Sequence, residues 1–373
     1  MIAFQLTDTA LAPMRSFATL NNIALLAFAL LLPCVGPSRA QLPQQPTGNA
    51  SPLRLRIVGG LAGLNQFTRH EEPFWTRDLP RLSAGRATAE IVPFDRAGIR
   101  GQEMLRLVQL GVVPFGTALL SLTATEVPEL SAPDLAGLNP DIQTARRTVS
   151  AFRPYLEGLL RDRFGVEVLA LYVYPAQVTF CTKALAGLAD LSGRRVRVSS
   201  SSQADMVTAL GGTPVQTGFA EIVPNLRNGN IDCAITGTMS GNTIGLDQVT
   251  RFIHALPIAW GVAAFIANGS AWNALPPELK SLLRKELPVL EQAIWAESAR
   301  ETGEGIACNA GTSACGSGRK GTMTVVSATP ADERRRVELL TSKILPGWIE
   351  RCGPQCVKVW QSTIGPVSGI PLR

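Results

Sequence analysis

Histidine is nearly absent. His70 and His254 are the only two, and no motif surrounds either, so His-based acid–base chemistry and a His-rich zinc site have little to draw on. Among seven cysteines there is no Cys-x-x-Cys pair. The Gly-x-Ser-x-Gly turn of hydrolases is missing, and glycine-rich 311–318 lacks the Gly-Lys-Ser/Thr of a phosphate loop. Arg56 to Gly60 reads RIVGG, like the activated end of a trypsin-like protease, yet no nucleophile motif follows. These gaps argue against an enzyme, a bound metal or a cofactor. Charge is also sparse, at 17% of residues, and its arginines are scattered, which argues against a nucleic-acid partner. Beyond residue 40 no segment has the ~18 uncharged apolar residues a membrane span needs.

The chain is long enough for two domains, and 46% apolar residues can build a packed core. Residues 1–40 read as a signal peptide: Arg15 leads the apolar run Ile23–Leu32, and Ser38 and Ala40 put small residues at a cleavage site. Cleavage would start the mature chain at Gln41 in the periplasm, one positive charge poorer for the loss of Arg15, Arg39 and Asp8. Pro33 before Cys34 argues against a lipid anchor. Cys181, Cys233, Cys308, Cys315, Cys352 and Cys356 then remain, an even count that favours disulfides in an exported chain. Cys308 with Cys315, and Cys352 with Cys356, suit short loops.

After a flexible Pro-rich leader at 41–52, Leu53, Leu55 and Ile57 alternate with Arg54 and Arg56 as a strand. Helical spacing is expected over 72–83, 102–110, 144–164 and 203–210. The longest helical pattern runs 277–301, with Pro288 expected to kink it and a cysteine-bearing loop at 305–321 after it. Strands are expected at 87–92, 112–121, 166–174, 176–182, near 215 and near 322–327. Strands alternating with helices make the chain α/β. In DLSGRRVRV (190–198), Val196 and Val198 face one way and Arg195 and Arg197 the other, which holds an arginine near a strand end. Open α/β sheets bind ligands there, and a guanidinium fork suits a carboxylate. An ordinary surface or structural arginine is the competing reading.

DLSGRRVRV, then ALGGTPV (209–215), then FAEIVPNLRNGNID (219–232) resembles the signature region of the C4-dicarboxylate-type solute receptors of tripartite ATP-independent periplasmic (TRAP) transporters. ANGSAWNALPPELK (267–280) before the long helix fits the same order. The resemblance implies a two-lobed periplasmic binding protein, type II-like, each lobe a mixed sheet flanked by helices. Hinge strands and a long connecting helix would join the lobes. On that basis the N-terminal lobe takes 53–175 plus about 255–290, the C-terminal lobe 176–254 plus about 303–365, and helix 277–301 crosses both. Arg197 falls where the family grips its substrate, Gln177 where many members carry a second cation, and Thr236 where many place an Asn. Ser200 follows on the strand-to-helix turn, and Phe219 would wall the pocket. The family also places Cys181 and Cys233 on neighbouring strands.

Departures from the family pattern are Cys233-Ala234-Ile235-Thr236 and Pro224, the latter expected to interrupt the helix after Phe219. The implied role is a monomeric receptor that delivers a small organic acid to TRAP membrane permease subunits, with sensing of the same ligand as the alternative. A single cationic anchor beside Gln177, small residues, Phe219 and Trp260 suits one carboxylate on an apolar body, with a further arginine such as Arg195 or Arg153 able to alter that.

Overall fold

A computed structural model describes residues 51–372; the signal peptide, the start at Gln41 and the leader up to residue 50 lie outside the described residues. Eleven strands form two mixed sheets. They are β1 (Leu53–Gly59), β2 (Ala87–Pro93), β3 (Phe115–Leu119), β4 (Val166–Tyr172), β5 (Gln177–Cys181), β6 (Arg195–Val198), β7 (Thr213–Gln216), β8 (Cys233–Gly237), β9 (Phe252–Ala259), β10 (Ala263–Asn268) and β11 (Thr324–Val326). The first sheet has order β2-β1-β3-β10-β4 and the second β11-β9-β5-β8-β6-β7. In the first, β1 runs parallel to β2 and β3, while β10 is antiparallel to β3 and β4. In the second, β6 runs parallel to β7 and β8, and β5 is antiparallel to β8 and β9. Alternation explains β1: Leu55 and Ile57 are buried, and Arg54 and Arg56 are exposed.

The chain passes between the sheets at 173–176, from β4 to β5, and at 260–262, from β9 to β10. β9 pairs in the second sheet at Phe252–His254 and again at Ala259, so residues 255–259 run with that sheet, whereas a first-lobe segment was expected from about 255.

The long helix is Pro277–Ala310, nine residues longer than the expected 277–301, and it continues unbroken through Pro288. It lies along the first crossing. Glu291 Oε2 accepts from Leu171 N (2.8 Å), Trp295 Nε1 donates to Leu171 O (2.8 Å), Ser298 Oγ donates to Val173 O (2.6 Å), and Thr302 Oγ1 accepts from Ala176 N (3.1 Å). Steps of four, three and four put these side chains on one helix face. Gly305 carries the helix on into what was expected to be loop. A Cβ there would lie 2.3 Å from Met239 N, so only glycine allows the close approach to helix Thr238–Ile244. Cys308 therefore sits on the helix, and the loop begins beyond Gly311, whose φ of 73° ends it.

Other elements shift modestly. Helical structure starts at Gln66, before the expected 72, because Gln66 and Glu71 turn inward to polar partners and obscure the apolar spacing. Pro224 does not interrupt its helix. It lies in the first turn of Ile222–Arg227, where its missing N–H is not needed. Helix Ile142–Phe164 is capped by Asp141, which accepts from Thr144 N (2.7 Å), and by Gly165 with φ of 62°. All three cysteine pairs are bridged: Cys181–Cys233, Cys308–Cys315 and Cys352–Cys356. The first joins directly opposed residues of β5 and β8. Among the described residues no helix is long and apolar enough to cross a membrane.

Candidate functional site

The carboxyl ends of parallel strands from both sheets face a cleft of about 730 Å³. This is where the geometry of open α/β sheets concentrates ligand contacts. The first sheet supplies residues just past β1 (Leu61, Leu64), β2 (Phe94, Asp95) and β3 (Ser121, Leu122). The second supplies Arg197 from β6 with Ser199 just past it, Gln216 from β7 with Thr217 just past it, and Thr236 and Gly237 from β8.

Arg197 dominates the electrostatics. It is only 5% exposed, although it lies next to the fully buried Val196 and Val198 on a strand. Its Nε and Nη2 donate to Thr217 O (3.2 and 3.1 Å) and its Nη1 donates to Ile235 O (2.9 Å). No carboxylate pairs with it among the described residues. Burial lowers its pKa to about 10, so it stays cationic at neutral pH. A guanidinium has five N–H donors. Three are bonded, which leaves one on each terminal nitrogen of a residue that lines the cleft.

Gln177, at the start of β5, also lines the cleft. Its Oε1 accepts from Gln203 Nε2, and that bond turns its amide nitrogen toward Gly261. A Cβ at Gly261 would lie 2.9 Å from that nitrogen, so the glycine makes room for it. Thr236 is buried in β8 and Phe219 opens a short turn of helix; both line the cleft. Four of the expected site residues, Arg197, Gln177, Phe219 and Thr236, therefore meet in one place.

Ser200 and Trp260 do not line the cleft. Ser200 caps helix Ser201–Ala209, its Oγ accepting from Gln203 N (3.2 Å). Trp260 is buried, and its Nε1 donates to Asn139 O (2.9 Å), which turns the indole into the interior. The arginines that might have added charge are also committed elsewhere. Arg195 pairs with Asp232 (2.9 Å), and Arg153 pairs with Glu291.

Asp95, Arg100 and Tyr174 also line the cleft, and no motif in the sequence marks them. Asp95 Oδ1 accepts from Ala62 N (3.0 Å), which ties the turn after β2 to the turn after β1. Arg100 is paired with Glu103, its Nε donating at 3.0 Å. Tyr174 holds Leu61 N with its hydroxyl (3.4 Å), and burial, followed by the charge of Glu71, pushes that hydroxyl far above its usual range, so it is neutral. The available signal was positional: Asp95 follows β2 directly, at the carboxyl end of a parallel strand.

A cleft between two mixed sheets that the chain links at 173–176, at 260–262 and through the long helix, holding a buried arginine without a counter-ion among the described residues, is the arrangement of a two-lobed solute receptor. The chain belongs to the DctP family, bacterial extracellular solute-binding protein family 7, whose model matches residues 72–317. Members of that family bind solutes and are not enzymes. Solved structures with the same fold include a Bordetella pertussis extracytoplasmic solute receptor that binds pyroglutamic acid. It is 21% identical, with a TM-score of 0.74, and the match covers 83% of this chain and 98% of that one. A TRAP periplasmic solute-binding protein from Desulfovibrio salexigens with bound orotic acid is 18% identical, with a TM-score of 0.73 and coverage of 85% and 97%. Another, from a Sulfitobacter species with bound β-D-galacturonate, is 15% identical, with a TM-score of 0.69 and coverage of 83% and 99%.

Proposed function

We propose that this chain is a periplasmic receptor, exported through a cleaved signal peptide, that captures a small organic acid on Arg197 and delivers it to the membrane permease of a TRAP-type transporter. The observation that carries the reading is a buried guanidinium that lines the cleft, meets no carboxylate and has two N–H donors unused. A carboxylate completes that set with two parallel charge-assisted bonds, and a buried cation gains most from such a partner. The molecules bound by the similar receptors above are acids, which agrees with it. Gln177 would donate its free amide hydrogens to the same ligand, Thr236 would add a hydroxyl, and Phe219 would cover it. Closure would turn about 173–176 and 260–262, with the long helix as a fixed spine, because a ligand that bonds both walls favours the state in which they meet.

The ligand favoured by this cleft has one carboxylate. Among the described residues Arg197 is its only cation without a carboxylate partner, and Leu61, Leu64, Phe94 and Phe219 supply much of the remaining surface. Mass spectrometry of whatever co-purifies with native protein identifies the acid, and calorimetry then tests the anchor. Arg197→Ala is expected to cost at least ~100-fold in affinity, about 2.7 kcal/mol. Arg197→Lys should recover only part of that, since a point charge does not reproduce the fork. Binding by the alanine variant at wild-type affinity would dismiss the assignment.

A further inference from the structure

We infer that the ligand carries, besides its carboxylate, one N–H donor, and that Asp95 on the opposite wall accepts it. The inference rests on the reading of Arg197 as carboxylate anchor and narrows the class of acid. Four charged residues line the cleft: Asp95, Arg100, Arg197 and Glu221. Arg100 is exposed and its charge is offset by the neighbouring Glu103. Arg197 is buried and has no counter-ion. Asp95 and Glu221 pair with no cation among the described residues. A dianionic ligand would thus meet one unpaired cation and two unpaired carboxylates, which opposes its second charge.

Asp95 is also held ready as an acceptor. An ionised carboxylate offers about four acceptor positions. Asp95 is exposed, and one of its positions is used by Ala62 N–H at 3.0 Å, which ties the carboxylate to the mouth of β1 and β2. The hydroxyl of nearby Tyr174 accepts from Leu61 N, and no hydrogen bond joins it to Asp95 among the described residues. On this wall Leu61, Leu64, Phe94 and Ile99 outnumber the uncharged polar side chains, Gln102 and Ser121. A sugar acid brings several hydroxyls that such a wall leaves unpaired, whereas an acid with a single N–H brings one donor to one waiting acceptor.

Two probes of nearly the same shape test this by calorimetry on the mature protein. Pyroglutamate carries a lactam N–H, and its lactone counterpart, 5-oxotetrahydrofuran-2-carboxylate, has ring oxygen in that place. Succinate and galacturonate serve as the dianion and the polyhydroxyl acid. The lactam is expected to bind at least ~10-fold more tightly than the lactone, and Asp95→Asn should reduce that preference below ~3-fold. Asn keeps an oxygen for Ala62 N–H while losing the charge, and an unchanged melting temperature would show the variant folded. Equal binding of lactam and lactone, a preference that survives in Asp95→Asn, or tighter binding of succinate or galacturonate overturns the inference. Loss of whichever acid binds in Arg197→Ala keeps the anchor in those cases. Retained binding in Arg197→Ala instead sinks the anchor, and silence from all four acids overturns both.

Discussion

Arg197 and Asp134 are each 5% exposed, and among the described residues neither meets an opposite charge, yet the chain treats them differently. Asp134 Oδ1 accepts from Trp260 N (2.8 Å), and Oδ2 accepts from Gly261 N (2.8 Å) and Val262 N (3.4 Å). Those three residues are the second crossing between the sheets. The backbone closes around this carboxylate and ties the crossing down. Burial raises its pKa to about 6, and the backbone bonds work against that rise. Arg197 receives carbonyls on only three of five donors, and its open side faces the cleft. The lesson is that a buried charge completed by its own chain builds the fold, while one left incomplete at a cleft invites a ligand.

Changing each charge in turn sharpens the contrast. The largest effect is expected from Asp134→Ala. It leaves three backbone N–H groups of the crossing without acceptors, at a cost of about 3 kcal/mol in urea unfolding at pH 7. A loss below ~0.5 kcal/mol would break the comparison, because the carboxylate would then hold nothing.

A comparable effect is expected from pH. A carboxyl whose folded pKa is about 6, against an ordinary 3.8, binds its proton more tightly when folded. Its contribution is therefore greatest in acid and declines as pH rises from about 4 through 6, by up to roughly 3 kcal/mol. Asp232, held low chiefly by Arg195, opposes this trend: its stabilisation is present above the ordinary carboxylate pKa and is lost in more acidic solution. The Asp134 part is isolated by subtraction. The stability difference between wild type and Asp134→Asn should shrink as pH rises from 4 to 7, and a difference that stays flat in urea melts would contradict the carboxylate's role.

The smallest effect is expected where the opposite charge is removed. Arg197→Met deletes a desolvated cation and keeps much of its volume. Ligand-free stability should stay within about 1 kcal/mol of wild type or rise, while acid binding is lost. A fall of several kcal/mol in the same urea assay would place Arg197 with Asp134 as a structural charge.

Much of the fold was legible because local patterns carry it. The alternation in LRLRI gave β1, and Gly111, Gly165 and Gly229 end their helices in the left-handed conformation that glycine favours. Where reading failed, the partner was remote. The long helix was cut short at 301 because its last turns lack an apolar stripe, and Gly305 is explained only by the helix it packs on. Trp260 offered an aromatic surface on paper, but Asn139, 121 residues away, draws the indole inward. Asp95 and Asp134 had no motif to mark them, since each is bonded by backbone N–H groups whose identity sequence does not display.

By itself, the sequence determined the alternating strand and helix order, the even set of cysteines after residue 40, and a strand that places Arg197 beside two core valines. These follow from side-chain period and backbone preference over a few residues. Only tertiary structure decided which charges the chain completes. Asp134 finds its donors 126 residues further on, and the walls of the cleft come from strands of two different sheets. Hydrogen bonding and burial act through space, so whether a charge becomes a fastening or a binding site depends on what the folded chain brings within about 3 Å of it.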